Sequence, residues 1–188
     1  AMGTVEPPPG QAPPRIDPGG ASSSGRSPWT IAVLVLGVLA ALLWFRRPSY
    51  LPDVPLTSAS AEGVSAGPDA SRVFCRGSKG CLVVYVAPWC GPCRFSLPGD
   101  VALADHIAPM GYETVFVVGM DDVRACLDMT KALGRPARID SDRKWARAAR
   151  ISGVPHFLVT TPTGKIVKRQ AGAYMASPDQ VAQLLGIS

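Results

Sequence analysis

The chain has 188 residues, 47% of them hydrophobic, with 19 Lys/Arg against 14 Asp/Glu and a net charge of +5. That length suits one domain with appendages. The basic excess is modest and comes without basic–aromatic interleaving or an internal repeat, which argues against nucleic acid as a partner and against a repeat architecture.

Residues 1–28 are rich in Pro, Gly and Ser (PPPGQAPP, DPGGASSSG) and offer almost nothing apolar, so a disordered tail is expected. Residues 29–45 (WTIAVLVLGVLAALLWF) carry no charge and a single hydroxyl. As a helix they span roughly 26 Å against a hydrocarbon core of about 30 Å. Trp29, Trp44 and Phe45 stand at the ends, where aromatic rings favour the interface, and Arg46 and Arg47 can reach headgroups. No polar face exists to meet water, and the nearest small-x-small triplet, Ala59-Ser60-Ala61, is too distant for ordinary signal-peptide cleavage. A transmembrane helix in the lipid bilayer is expected. Residues 46–70, with Pro48, Pro52, Pro55 and Pro68 and no periodic pattern, read as a flexible linker.

Residues 71–188 hold 15 Lys/Arg and 9 Asp/Glu and suffice for one compact domain. The run 81–87 (CLVVYVA) reads as a strand buried on both faces, followed by a helix to about Ala108 and a second buried strand over 113–119. Val123, Cys126, Leu127 and Thr130 recur at helical spacing within 121–133, with Gly134 as the stop. A short strand over 136–140 and a helix over 142–151, with Trp145, Ala148 and Ala149 inward, come next. Strands from His156 to Thr161 and Lys165 to Gln170 flank Pro162-Thr163-Gly164, a hairpin signal. Ser177 caps a last helix with Pro178 at its first position and Val181, Leu184 and Leu185 inward. This order predicts an α/β domain with a mixed central sheet.

Trp89-Cys90-Gly91-Pro92-Cys93 leaves a strand and opens a helix. A cysteine there meets free backbone N–H groups and the positive end of the helix dipole, which favours its thiolate. Cys93 lies one turn on and can close a disulfide, Gly91 and Pro92 suit the tight entry, and Arg94 adds positive charge. Cys90 is expected to be exposed and Cys93 more buried. Read as a zinc half-site, the pair needs about two further ligands, for which Cys75, Cys81, Cys126, His106 and His156 are the candidates.

WCGPC resembles the active site of thioredoxin. Gly153-Val154-Pro155 is similar to the segment where that superfamily places a cis proline against the redox pair, the residue before it offering main-chain hydrogen bonds to substrate. Pro98 matches the proline that kinks the active-site helix, and Gly172 matches a glycine after the last strand. The extra helix and strand between Cys93 and Pro155, bracketed by VVGMDD and GVPHFLVTTPTGKIV, resemble the TlpA/ResA-type branch of membrane-anchored extracytoplasmic reductases, several of which serve cytochrome c maturation. The resemblance implies a thioredoxin-like fold with Cys90 as nucleophile, Cys93 as resolving thiol, and Trp89, Gly91, Pro92, Val154 and Pro155 supporting the site and binding substrate. Two departures stand out. Val84 occupies the position where thioredoxin keeps a buried acid that assists proton transfer, and His156 follows the proline where the branch often has Thr.

Cys75 and Cys81 flank a turn-like spacer and read either as a structural disulfide or as a relay passing electrons to Cys90. Either pairing points to an oxidising compartment. The positive-inside count is a draw, Arg15 and Arg26 against Arg46 and Arg47, so the cysteines decide the orientation: a single-pass protein of the bacterial inner membrane with its domain facing the periplasm or cell exterior. Cys126 reads as a buried free thiol, His156 as structural, and His106 and Glu113 as exposed. Arg143, Arg147 and Arg150 read as one basic helical face.

The expected reaction is attack of Cys90 on a protein disulfide and resolution by Cys93, with electrons supplied by a membrane or soluble thiol protein and no bound cofactor or metal. The same pair run in reverse, as an oxidase or isomerase, and a metallochaperone holding copper on Cys90 and Cys93 are the alternatives.

Overall fold

The computed structural model describes residues 28–45, 49–60, 62–65 and 73–188, in two units divided between Arg47 and Pro48. In the first unit, α1 (Pro28–Phe45) is an uninterrupted helix without a charged residue. Many of its side chains lie outside the described set, and among the described residues no helix is long and apolar enough to cross a membrane. The tail expected over 1–28 lies outside the described residues but for Pro28, as do Arg46 and Arg47.

The second unit is built on a sheet of β1 (Thr57–Ser60), β2 (Gly63–Ser65), β3 (Gly80–Val86), β4 (Tyr112–Gly119), β5 (Ala137–Asp140), β6 (His156–Thr160) and β7 (Ile166–Ala171). Its spatial order is β2-β1-β5-β4-β3-β6-β7. The β3, β4 and β5 strands run parallel and the outer pairings are antiparallel, so the sheet is mixed. Helices α2 (Gly91–Ile107), α3 (Val123–Leu133), α4 (Lys144–Ala148) and α5 (Pro178–Leu185) complete the α/β architecture.

Every residue of β3 is buried, because both faces of the sheet are covered there. Leu82, Val84 and Val86 pack with Leu103 and Ile107 of α2, Met129 and Leu133 of α3, and Val181 and Leu185 of α5. Val83 and Tyr85 face the other way, with Val117, Leu158 and Trp145. The rings of Tyr85 and Trp145 stack 6.0 Å apart. Helix ends follow their sequence signals. The Asp122 carboxylate accepts from the Ala125 N–H at 2.9 Å, Gly134 ends α3 at φ 66°, and Ser177 and Gln180 form a capping box on α5.

Three expectations need correction. The stretch read as a flexible linker over 46–70 contributes to the fold: β1 pairs with β5, the Leu51 N–H donates to the Gly164 carbonyl, and Leu56 is buried. The domain therefore begins before residue 71. Thr57-Ser58-Ala59-Ser60 has small side chains and no alternation, so its pairing is carried by the backbone and leaves no pattern in the sequence. The helix over 142–151 shrinks to Lys144–Ala148, because Arg143 and Arg150 adopt positive φ at its two ends. Arg143, Arg147 and Arg150 therefore do not share a helical face, and Ala146 takes the buried place expected for Ala148. In α5 the buried stripe is Val181, Ala182 and Leu185, which leaves Leu184 exposed.

Asp140 secures the second face of the sheet. Its buried carboxylate accepts from the Tyr85 hydroxyl at 2.8 Å, the Trp145 N–H at 3.0 Å and the Ala146 N–H at 2.9 Å. Removing it strands three buried donors, so Asp140→Ala should lower unfolding stability by about 3 kcal/mol in urea titrations.

Candidate functional site

The redox pair is set by two chain reversals at one end of β3. After Val86 the chain turns through Pro88-Trp89, the Cys90 N–H donates to the Ala87 carbonyl at 3.1 Å, and Cys90 becomes the N-cap of α2. Cys90 and Cys93 are joined in a disulfide with Cα atoms 5.2 Å apart. The Cys93 N–H donates to the Cys90 sulfur at 3.1 Å. That N–H and the positive end of α2 stabilise negative charge on Cys90 once the bond opens. The expectation of an exposed Cys90 is corrected: it is 3% exposed and Cys93 0%. The bond to the buried Cys93 and the capping contact draw its sulfur inward. Gly91, Pro92 and Arg94 lie within the first turn of α2, and Gly91 and Arg94 are exposed. Pro98 lies inside α2, where its missing N–H leaves the Arg94 carbonyl without its helical donor.

The second reversal brings Val154 and Pro155 to the pair. Their peptide bond is cis, and the Val154 carbonyl oxygen lies 3.6 Å from the Cys90 sulfur. Gly172, at φ 101°, donates its N–H to the Pro155 carbonyl at 2.9 Å and ties this turn to the end of β7. Trp89 is 57% exposed, yet its indole N–H donates to the Met120 carbonyl at 2.9 Å, which fixes the ring beside the site. A groove of about 440 Å³ next to the motif is lined by Pro88, Arg94, Leu97, Ala125, Asp128, Met129 and Ala132.

Sequence reasoning missed Ser96 and Asp100. Both are buried on the stripe of α2 that carries Cys93, Leu97, Leu103, Ala104 and Ile107. The Ser96 Oγ lies 3.0 Å from Asp100 Oδ2 and 3.4 Å from the Cys93 carbonyl oxygen. Burial pushes the Asp100 carboxyl up to about 7 against the opposing pull of the Ser96 hydroxyl. The signal was available: counting Cys93, Ser96, Leu97 and Asp100 at helical spacing puts two polar residues on an apolar stripe. Val84, at the position of the thioredoxin acid, is core.

The remaining candidates lie elsewhere. Cys75 and Cys81 are disulfide-bonded, with Cα atoms 5.4 Å apart. Cys81 is the second residue of β3 and Cys90 follows its far end, so about 16 Å of strand separates them, beyond the roughly 7 Å that disulfide exchange within one molecule allows. A relay from this pair to Cys90 is therefore not available in this conformation. Cys126 is free and buried, its thiol pushed up to about 11 by burial and then by Asp121. His156 is buried on the face of Tyr85 and Leu158, its Nδ1 3.3 Å from the Gly153 carbonyl oxygen, and burial lowers its pKa. His106 and Glu113, expected at the surface, are half-buried; His106 approaches Asp179 at 3.9 Å, and Glu113 accepts from the Arg76 N–H. Among the described residues no three His, Cys, Asp or Glu side chains gather as a metal-ligand set.

Two measurements check this arrangement. Cys81→Ala should cost about 2 kcal/mol of stability, the chain-entropy value for so short a loop, while leaving turnover at the other pair intact. Asp100 holds its proton to about pH 7 when folded and only to about pH 4 when unfolded. Its contribution to stability therefore falls as pH rises across that window, by up to roughly 4 kcal/mol, and Asp100→Asn should remove the decline from unfolding curves recorded at each pH.

No protein-family model matches the chain. It is 26% identical over 133 residues to the thiol-disulfide oxidoreductase ResA of Bacillus subtilis (strain 168), covering 63% of this chain and 74% of that protein. Among solved structures, StoA from Bacillus subtilis superposes with a TM-score of 0.53 at 20% identity, over 72% of this chain and 98% of that one. A candidate thiol:disulfide interchange protein DsbE from Chlorobium tepidum gives 0.55 at 20% identity, over 73% and 93%. The fold is thus thioredoxin-like, and the chain is similar to thiol–disulfide oxidoreductases of the ResA, StoA and DsbE type, with a disulfide-forming cysteine pair at the start of α2.

Proposed function

We propose that the chain is a membrane-anchored reductase of extracytoplasmic protein disulfides, working through the Cys90/Cys93 dithiol, with cytochrome c maturation as its setting. The observation that carries the reading is the donation of the Cys93 N–H to the Cys90 sulfur at the N-terminus of α2, beside the Val154 carbonyl. In the reduced protein that environment favours the Cys90 thiolate, which attacks a substrate disulfide and forms a mixed disulfide. Cys93 lies one turn away and attacks the Cys90 sulfur, releasing the substrate as a dithiol. A partner dithiol then restores the pair. Trp89 and the Val154–Pro155 turn border the sulfur and provide the surface on which a substrate backbone docks.

The uncharged helix α1 supports an anchor in the lipid bilayer through residues 29–45. The Cys75–Cys81 disulfide supports an oxidising compartment, hence a catalytic domain facing the periplasm or cell exterior.

Cys90→Ser should abolish insulin reduction, and Cys93→Ser should accumulate a mixed disulfide with the natural substrate on non-reducing gels. Wild-type turnover by Cys90→Ser would overturn the mechanism. A carboxyl-terminal reporter that is active only in the cytoplasm should stay silent; a bright fusion would refute the topology.

A further inference from the structure

Cys93, Ser96 and Asp100 occupy positions i, i+3 and i+7 on the buried stripe of α2. Asp100 lies about 10 Å further along the helix axis than Cys93. Its carboxyl is only 4% exposed and has one hydroxyl, Ser96, as its side-chain partner. Burying an acid with so little compensation is unfavourable, and packing alone would be better served by an apolar side chain. The hydroxyl also carries a single proton. When Asp100 is ionised, Ser96 donates to it. When Asp100 is protonated, it can donate to Ser96, and the Ser96 proton is free to turn to the Cys93 carbonyl 3.4 Å away.

We propose that Asp100 is a positioning residue for the redox pair: its carboxyl, joined through Ser96 to the backbone of Cys93, takes up one of the two protons that accompany reduction of the Cys90–Cys93 disulfide. The inference rests on the oxidoreductase reading above. In the balanced step a donor dithiol loses two electrons and two protons and becomes a disulfide. The Cys90–Cys93 bond breaks, and Cys90 remains a thiolate at the helix N-terminus. One proton goes to Cys93 as its thiol and the other to the Asp100 carboxylate. Substrate reduction returns both. The new negative charge on Cys90, ten residues before Asp100 and so roughly 15 Å away along the helix axis, shifts a buried proton equilibrium by about sixfold at an effective dielectric near 20. In the oxidised protein Asp100 titrates near neutrality, where that shift changes its protonation.

The charges around Asp100 leave it free to respond. On α2 itself stand Arg94, Asp105 and His106. Packed against α2, helix α5 carries Asp179, and α3 carries Arg124, Cys126, Asp128 and Lys131. From the sheet, β4 carries Tyr112 and Glu113, and the Tyr85 of β3 faces away. Burial is the largest influence on the proton affinity of Asp100, and the Ser96 hydroxyl opposes it.

The test equilibrates the full chain, in detergent, with dithiothreitol couples from pH 5 to 9 and measures the thiol fraction by alkylation. As pH rises just above 7 the reducibility of wild type by the dithiol should fall relative to that of Asp100→Asn, by up to about sixfold in total across the titration, because the variant releases a proton that Asp100 takes up in wild type. Ser96→Ala should keep the extra dependence and move its midpoint upward, since the hydroxyl favours the ionised acid. Infrared difference spectra of wild type at pH 8 need no variant; reduction should add a protonated-carboxyl band. Parallel pH curves for wild type and Asp100→Asn, or no carboxyl band, overturn the inference while insulin reduction persists. A wild type that reduces no disulfide instead overturns the functional reading.

Discussion

The antiparallel pairing of β6 with β3 is the constraint on which the site depends. Tyr85, near the end of β3, lies opposite His156, the first residue of β6. Because the strands run in opposite directions, the exit of one and the entry of the other share an edge of the sheet. Cys90, four residues past β3, therefore meets Pro155, one residue before β6, although the two are far apart in sequence. A register slip would separate them and turn Phe157 out of the core. The buried side chains on both faces of β3 prevent that slip.

The parts of the fold written in side-chain pattern were legible in the sequence. The apolar runs of β3 and β4, the Asp122 and Gly134 ends of α3, and the capping residues of α5 all stand close to where periodicity and capping place them. The short elements were not. β1 and β2 are held by backbone pairing between small residues, and α4 is cut short by two arginines with positive φ. Positive φ at an arginine has no sequence signature, since it is imposed by the surroundings rather than by the residue.

The site divides along the same line. The Cys90–Cys93 motif and the Val154–Pro155 turn announce themselves by residue type. Their support does not: Trp89 is held by the backbone of Met120, and the cis turn by the backbone of Gly172. Proton handling follows a third pattern. The strand position occupied by an acid in thioredoxin is filled here by Val84, while a carboxyl has appeared on the redox helix itself. Charge control has moved from the sheet to the helix that carries the thiols.

The outer strand β7 bears on how the proposed reductase would hold a protein substrate. Its start is occupied, because the Ile166 N–H donates to the Ser49 carbonyl and Tyr50 bridges to Lys165. Beyond that stretch come Lys168 and Arg169, and the pairing with β6 carries an irregularity at Val159 and Thr160. An open, regular, apolar edge would recruit a client's own extended segment and hold it by strand addition. A covered, charged and irregular edge discourages that capture. Under the proposed function a substrate is then held through sulfur, by a bond that Cys93 can itself undo.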